Sequence, residues 1–498
     1  MRRRTFLTFT GGAGAAVLVG PWMRTSRAAP FGEFPTGTES VQLPEGQRAK
    51  KVLEIFLYGG LSAWETLYFV RDYGTASDPS FPNTQYYAYA SANASALSAC
   101  GSTDTARPFA TDANGAMVEI GPFANKLYAR TDIINRMRVV VQRHNLEPHE
   151  AAVPQALTGR PVGQPNAAGL GAHVQRARID AGATPDRASP HAYVLATGGI
   201  SSDNVAAAAA SGTHPGAARP LLLKTDNASG FTRLLSRSTV GAGRAHHDAL
   251  VGAYVDQYQG RLTWPDQGRV RSPRTDDLVV AYQTQTKVDA IANVVTDGLF
   301  NSISNRACGI SRKSIPHIGL NAARHLLTHP SEPASYVCVS DVGLFEASGG
   351  GGYDTHTDNA RDQSTNFDNL LAGLTAIINA PGETDPTKLS LDDTLIILNT
   401  EFGRTPGRQG STGRNHHPYG YVTAFIGGPT QKGVAGAIGR DGNASMFATP
   451  AENRMAALLA LGIWPFAAEG FNVADSPAAT GELDAAQKAL QKCLGRAS

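Results

Sequence analysis

Short, continuously apolar runs alternate along the chain with stretches of helical spacing. Lys51-Val52-Leu53-Glu54-Ile55-Phe56-Leu57-Tyr58 ends on Gly59-Gly60 and predicts a strand. Arg138–Gln142, Tyr193–Leu195, Leu221–Leu223, Tyr336–Val339, Thr394–Leu398 and Tyr421–Ile426 predict further strands. From about 239 to 327 the spacing turns helical. There, Asp276 to Phe300 sets Leu278, Val279, Tyr282, Val288, Ile291, Val294 and Val295 near one face. Further helical stretches lie near 358–379 and 451–462, the latter stopping at Gly462 and Pro465. Strands this apolar must be buried on both sides. They predict an α/β fold with a mainly parallel central sheet flanked by helices on both faces. Residues 30–49 read as a polar leader, and 50–498 as one α/β domain. That domain carries a Ser-, Ala- and Asn-rich surface insertion at about 78–117 and a helical subregion at about 239–327.

Composition narrows the class. The 498 residues are 42% hydrophobic and 17% charged, with 53 Gly and 29 Pro, a globular and loop-rich chain. With 44 Lys+Arg against 42 Asp+Glu, the net charge of +2 gives no field to recruit nucleic acid or an anionic membrane. Arg2-Arg3-Arg4-Thr5-Phe6-Leu7 precedes a glycine-diluted apolar stretch that ends on Ser26-Arg27-Ala28-Ala29. Residues 1–29 thus resemble a twin-arginine signal peptide, which implies the twin-arginine export machinery and a periplasmic or secreted protein. The alternative, an uncleaved anchor, needs a longer apolar run to cross a ~30 Å hydrocarbon core. No later segment is long enough to be transmembrane. The cysteines Cys100, Cys308, Cys338 and Cys493 permit two disulfides in an oxidising compartment, and Cys338 reads equally as a buried free thiol.

Ligands of parallel α/β sheets bind beyond the carboxyl ends of the strands, so the residues that follow each strand matter most. The first strand leads to Ser62, Glu65 and Thr66, and the second to His144 and His149 with Thr158-Gly159-Arg160 downstream. The strand at 336–339 leads to Gly351-Gly352-Tyr353-Asp354-Thr355-His356. The strand at 394–398 leads to Glu401-Phe402-Gly403-Arg404-Thr405 and on to Gly413-Arg414-Asn415-His416-His417-Pro418. Each has a plain reading. Asp354 suits a helix cap, His149 a helix start, Ser62 and Thr66 a turn, and Arg404 a salt bridge to Glu401. Extended geometry would turn Asp354 and His356 the same way, and would let at most one of His416 and His417 face a shared ligand. A buried carboxylate such as Glu401 must be paired or coordinated.

In combination, Gly-Gly-x-Ser-x-x-Glu-Thr, His-x(8)-Thr-Gly-Arg, Gly-Gly-Tyr-Asp-Thr-His, Glu-Phe-Gly-Arg-Thr and Gly-Arg-Asn-His-His-Pro resemble an exported bacterial family. It is the one catalogued as domain of unknown function 1501, and the likeness spans roughly residues 50 to 465. That family is grouped with the alkaline phosphatase/sulfatase superfamily. The resemblance implies an alkaline-phosphatase-like fold and a divalent metal (Zn, Mn, Ca or Mg). It offers Glu65, Asp354, His356, Glu401 and His416 as ligands or their supports, and Arg404 and Arg414 as grips for an anionic ester. Two departures stand out. Asn415 occupies a position where the family has Asp, which weakens a site for a hard cation. His149 occupies the place of the superfamily's Ser, Thr or Cys nucleophile, where it would form a phosphohistidine, bind metal, or mark the loss of hydrolysis.

The resemblance implies an exported metal-dependent hydrolase acting on a small phosphate or sulfate ester, or on a phosphorylated or sulfated polymer. The alternative is a non-catalytic envelope or cell-surface binding protein that keeps the fold and one metal. An oxidoreductase finds no support, since no GxGxxG follows a strand and no CxxCH occurs.

Overall fold

The computed structural model describes residues 30–73, 106–164, 167–181, 190–196, 206, 209–214, 218–225, 241–264, 268–269, 288–301, 304–308, 310–313, 315–344, 352–410, 413–467 and 470–496. The expected signal peptide at 1–29 lies outside them, as do residues 78–105 of the expected insertion and 276–287 of the expected long helix.

Eight strands form the central sheet: β1 (Lys51–Leu57), β2 (Met137–Gln142), β3 (Ala192–Ala196), β4 (Leu221–Lys224), β5 (Tyr336–Asp341), β6 (Thr394–Asn399), β7 (Tyr421–Gly427) and β8 (Gly433–Ala435). Their order across the sheet is β8-β2-β7-β6-β1-β5-β3-β4. Strands β6, β1, β5, β3 and β4 pair in parallel, as do β8 and β2. Strand β7 runs antiparallel to both of its neighbours, β6 and β2. The sheet is therefore mixed, and the expectation of a mainly parallel one is corrected by β7. Residues 400–420, which join β6 to β7, contain no helix among the described residues. A parallel return normally needs a crossover of a dozen or more residues, usually through a helix.

Alternation along each strand feeds two cores. Leu53, Ile55, Leu57, Val337, Val339, Ile396 and Leu398 pack with Ile318 and Leu326 of α3 (Ile315–Thr328) and with Phe367, Leu370 and Leu374 of α4 (Asn359–Ile377). Val52, Phe56, Tyr336, Cys338, Leu395 and Ile397 pack against the other group. That group is α1 (His149–Thr158), α2 (Leu170–Asp180), α5 (Pro450–Ala460) and α6 (Glu482–Ala489). Each fully buried Leu, Ile or Phe contributes about 1.5–3 kcal/mol, enough collectively to hold polar loops in costly arrangements at the rim.

The expected helical subregion contains the helices Gly241–Leu262 and Val288–Val294, together with the hairpin Ser304–Ala307/Ile310–Lys313. Within the expected insertion, Arg107–Thr111 pairs with Met117–Ile120, and Phe109 is buried. Cys338 and Cys493 are buried and outside any disulfide, while Cys308 is disulfide-bonded. Among the described residues no helix is long and apolar enough to cross a membrane.

Candidate metal centre

The carboxyl ends of β1, β2, β5 and β6 lie near one rim of the sheet. Because β7 is reversed relative to β6, its leading end reaches that rim too. Loop 413–420 therefore arrives beside the loops that follow β1, β5 and β6 and beside α1, and five separate stretches of chain meet. Close backbone approach fixes two of them. Gly59 has φ +109°, and a Cβ there would overlap the backbone of Asp354. A Cβ on Gly413 would overlap the carbonyl of His356.

Asp354 is the hub. Its Oδ1 is 2.9 Å from His356 Nε2 and 3.3 Å from His416 Nε2, and its Oδ2 is 3.5 Å from His149 Nε2. The Nε2 atoms of His356 and His416 are 3.0 Å apart. Ligand atoms of His149, Asp354 and His416 all lie within 4.8 Å of one another. Donors around a tetrahedral ion with ~2.0 Å bonds sit roughly 3.3 Å apart, so these spacings fit a small cation. Asp354 is 2% exposed, whereas the side chains of His149, His416 and His356 are 17%, 18% and 24% exposed, so the centre opens to solvent along its imidazole edges.

The far side of each ring fixes its tautomer. His416 Nδ1 is 2.9 Å from the carbonyl oxygen of Glu147, which can only accept, so this nitrogen carries the proton. His149 Nδ1 donates to Glu401 Oε1 at 2.9 Å, and His356 Nδ1 to Gln409 Oε1 at 2.6 Å. Each neutral ring then presents an Nε2 lone pair to Asp354. Lone pairs and a carboxylate facing one another at about 3 Å repel unless a cation stands among them. His149 Nε2 is buried and has no hydrogen bond, an orphan that a ligand bond would satisfy. A carboxylate or carbonyl oriented behind each ligating imidazole is the usual second layer of a metal site. Nitrogen-rich donors suit zinc or a similar transition ion better than calcium or magnesium.

Charge tells the same story in the metal-free protein. Burial disfavours the His149 cation, but the carboxylates of Asp354 and Glu401 beside the ring outweigh it and raise the pKa to about 9. Burial pushes His416 below its ordinary value, with Asp354 pulling the other way. Burial works against the Asp354 carboxylate too, yet His149, His356, His416 and Arg404 together hold it well below the usual carboxylate range. Without a metal, a proton on His149 supplies the missing positive charge.

The remaining expected residues divide. Glu401 stands behind His149, and also accepts from the Gly59 N–H at 2.8 Å and from Thr400 Oγ1 at 3.3 Å. Glu65 lies apart from the three-residue group. It is fully buried, paired with Arg414 and hydrogen-bonded by Ser62. Arg414 is likewise buried, and it also donates to the carbonyls of Thr405 and Pro406 at 2.7 and 2.6 Å. Arg404 is buried and pairs with Asp354 rather than Glu401, with further bonds to the carbonyls of Gly59, Gly60 and Arg414. Both guanidiniums thus brace the site from inside and present no face to an incoming ester. Asn415 is exposed and accepts from the His416 N–H, outside the cluster. His417 turns to the carbonyl of Gly442, and Asp358 rather than Asp354 caps α4.

Further residues support the cluster. Gln409 and the Glu147 carbonyl orient two of the rings. His144 ties its loop to the Glu401 carbonyl at 2.5 Å. Gln363 bridges the carbonyls of Gly60 and Tyr353 at 3.0 Å each. Neither glutamine is a charged residue at a strand end, the feature that marks the others.

No curated protein and no solved structure matches the chain. Residues 335–455, the stretch that holds Asp354, His356, Glu401, Arg404, Arg414 and His416, match the family model described as "Protein of unknown function (DUF1501)".

Proposed function

We propose that His149, Asp354 and His416, with His356 beside them, hold one divalent transition-metal ion, and that the protein is a metal-dependent hydrolase of phosphate or sulfate esters. The observation that carries this reading is the set of three imidazoles, each anchored through Nδ1, with their Nε2 atoms converging on Asp354. A divalent ion bound there supplies a Lewis acid that polarises an ester oxygen and eases deprotonation of water. Asp354 offsets part of the ion's charge, and Arg404 holds that carboxylate in place. Glu401 keeps His149 in the tautomer that ligates, which favours the ligand role over that of nucleophile. Since Arg404 and Arg414 are engaged internally, the partly exposed edges of His149, His356 and His416 form the side on which an ester anion would enter. The reading brings with it an alkaline-phosphatase-like topology. It also brings export of the folded chain through the twin-arginine route to the periplasm or beyond, and a small anionic ester or a phosphorylated or sulfated polymer as substrate.

Elemental analysis of the purified protein, combined with hydrolysis assays on aryl phosphates and aryl sulfates, tests it. Stoichiometric zinc or manganese with turnover is the expected result. A chain that stays metal-free and inert after loading with Zn²⁺, Mn²⁺ and Ca²⁺ contradicts it. The inward-facing arginines favour a second reading, a non-catalytic envelope or cell-surface binding protein that retains the metal. In that case His356→Ala and Glu401→Gln change metal content and thermal stability with no activity to lose.

A further inference from the structure

Helix α1 has ten residues with Pro154 inside it, so its own hydrogen bonds define its position poorly and tertiary contacts must do so. The last residue of β6, Asn399, is 1% exposed and uses both ends of its carboxamide. Its Nδ2 donates to Glu54 Oε1 at 2.9 Å and to the Ala156 carbonyl at 3.2 Å, and its Oδ1 accepts from the Thr400 N–H at 3.0 Å. Ala156 lies in the last turn of α1, where carbonyls lack a helical partner. Glu54 is itself held by Arg454 Nη1 at 2.5 Å and Tyr336 Oη at 2.6 Å. Two residues beyond Asn399, Glu401 takes His149 Nδ1 at the opposite end of α1. His149 and Ala156 are seven residues apart and share one face of the helix. One strand end therefore grips the helix at both of its ends.

We propose that Asn399 is a positioning residue of the metal centre, setting the rotation and advance of α1 and so the place of His149 Nε2. The proposal rests on the metal-centre reading above. It is tested by zinc affinity, measured by competition with a chromophoric chelator, for the full chain, Asn399→Leu, His149→Ala and the double variant, each checked for cooperative thermal unfolding. Asn399→Leu is expected to weaken zinc binding about 10–100-fold, the usual effect of losing a support behind a ligand. In the His149→Ala background the same change is expected to alter affinity by less than about 2-fold, because its route to the metal is already gone. A folded Asn399→Leu variant with unchanged affinity, or one that loses as much with His149 absent, overturns the proposal. If Asn399→Leu does not fold, Asn399→Ser, too short to reach the Ala156 carbonyl, is read the same way. Zinc binding by the full chain with no effect at 399 removes only the positioning role. Absence of zinc binding by the full chain removes the metal centre and this proposal together.

Discussion

Glu401 Oε1 lies 2.9 Å from His149 Nδ1, and this contact decides which nitrogen of the ring faces Asp354. Glu401→Gln keeps the shape of the side chain and removes its charge. Zinc affinity is expected to fall about 10–100-fold, and the thermal midpoint of the metal-free protein to fall as well, because the carboxylate also supports the His149 cation. Chelator competition and calorimetry measure the two effects separately.

The raised pKa of His149 gives the metal-free protein a pH signature. Its ordinary value is 6.5 and its folded value about 9, so the stabilisation is fully present below pH 6.5 and is lost as pH rises through 9. Urea denaturation in the presence of chelator should show this alkaline loss, amounting to at most ~3 kcal/mol. His149→Ala should remove it. Saturating zinc should also remove it, because the ion replaces the proton and its binding releases one. Asp354 acts at the other end of the scale. Held low when folded, it stabilises above its ordinary value of 3.8, an effect lost progressively in acid.

Glu65 and Arg414 form a fully buried pair, and Glu65 is not among the grouped ligand atoms of His149, Asp354 and His416. Glu65→Ala leaves the guanidinium buried without its counter-charge, and is expected to cost about 3–5 kcal/mol of stability. The fraction that remains folded should still bind zinc stoichiometrically. Denaturant titration and elemental analysis of the same sample check both parts, and loss of metal from well-folded protein would make Glu65 part of the centre.

Gly59 has φ +109° against the backbone of Asp354. Gly59→Ala introduces backbone strain of about 1–3 kcal/mol and pushes Asp354 from its place. Both stability and zinc affinity should fall. Gly407→Ala, at a position with open space around it, should change neither and serves as the control.

Much of this arrangement is legible in the amino-acid sequence. Apolar runs of strand length locate seven of the eight sheet strands, because strands buried on both faces leave little room for polar residues. Gly433–Ala435 gives no such run, being three residues long and only partly buried. The direction of β7 is harder to read. It depends on what the described residues between 400 and 420 do not contain, a crossover helix. Asp354, His356, Glu401 and His416 stand out as charged or imidazole groups beside strand ends. Which of them meet, and that Glu65 is taken by Arg414, depends on side-chain directions across residues hundreds of positions apart. Local spacing does not encode such distances. The same holds for Gln409, Gln363 and Asn399, neutral amides that look like ordinary surface residues until the chain folds over them.

Anomalous diffraction from zinc-loaded crystals, recorded on both sides of the zinc absorption edge, tests the central claim most directly. The account predicts a peak bonded at about 2.0–2.2 Å to His149 Nε2, His416 Nε2 and an Asp354 oxygen. A peak elsewhere on the molecule, or none at all in crystals of folded protein, would contradict it.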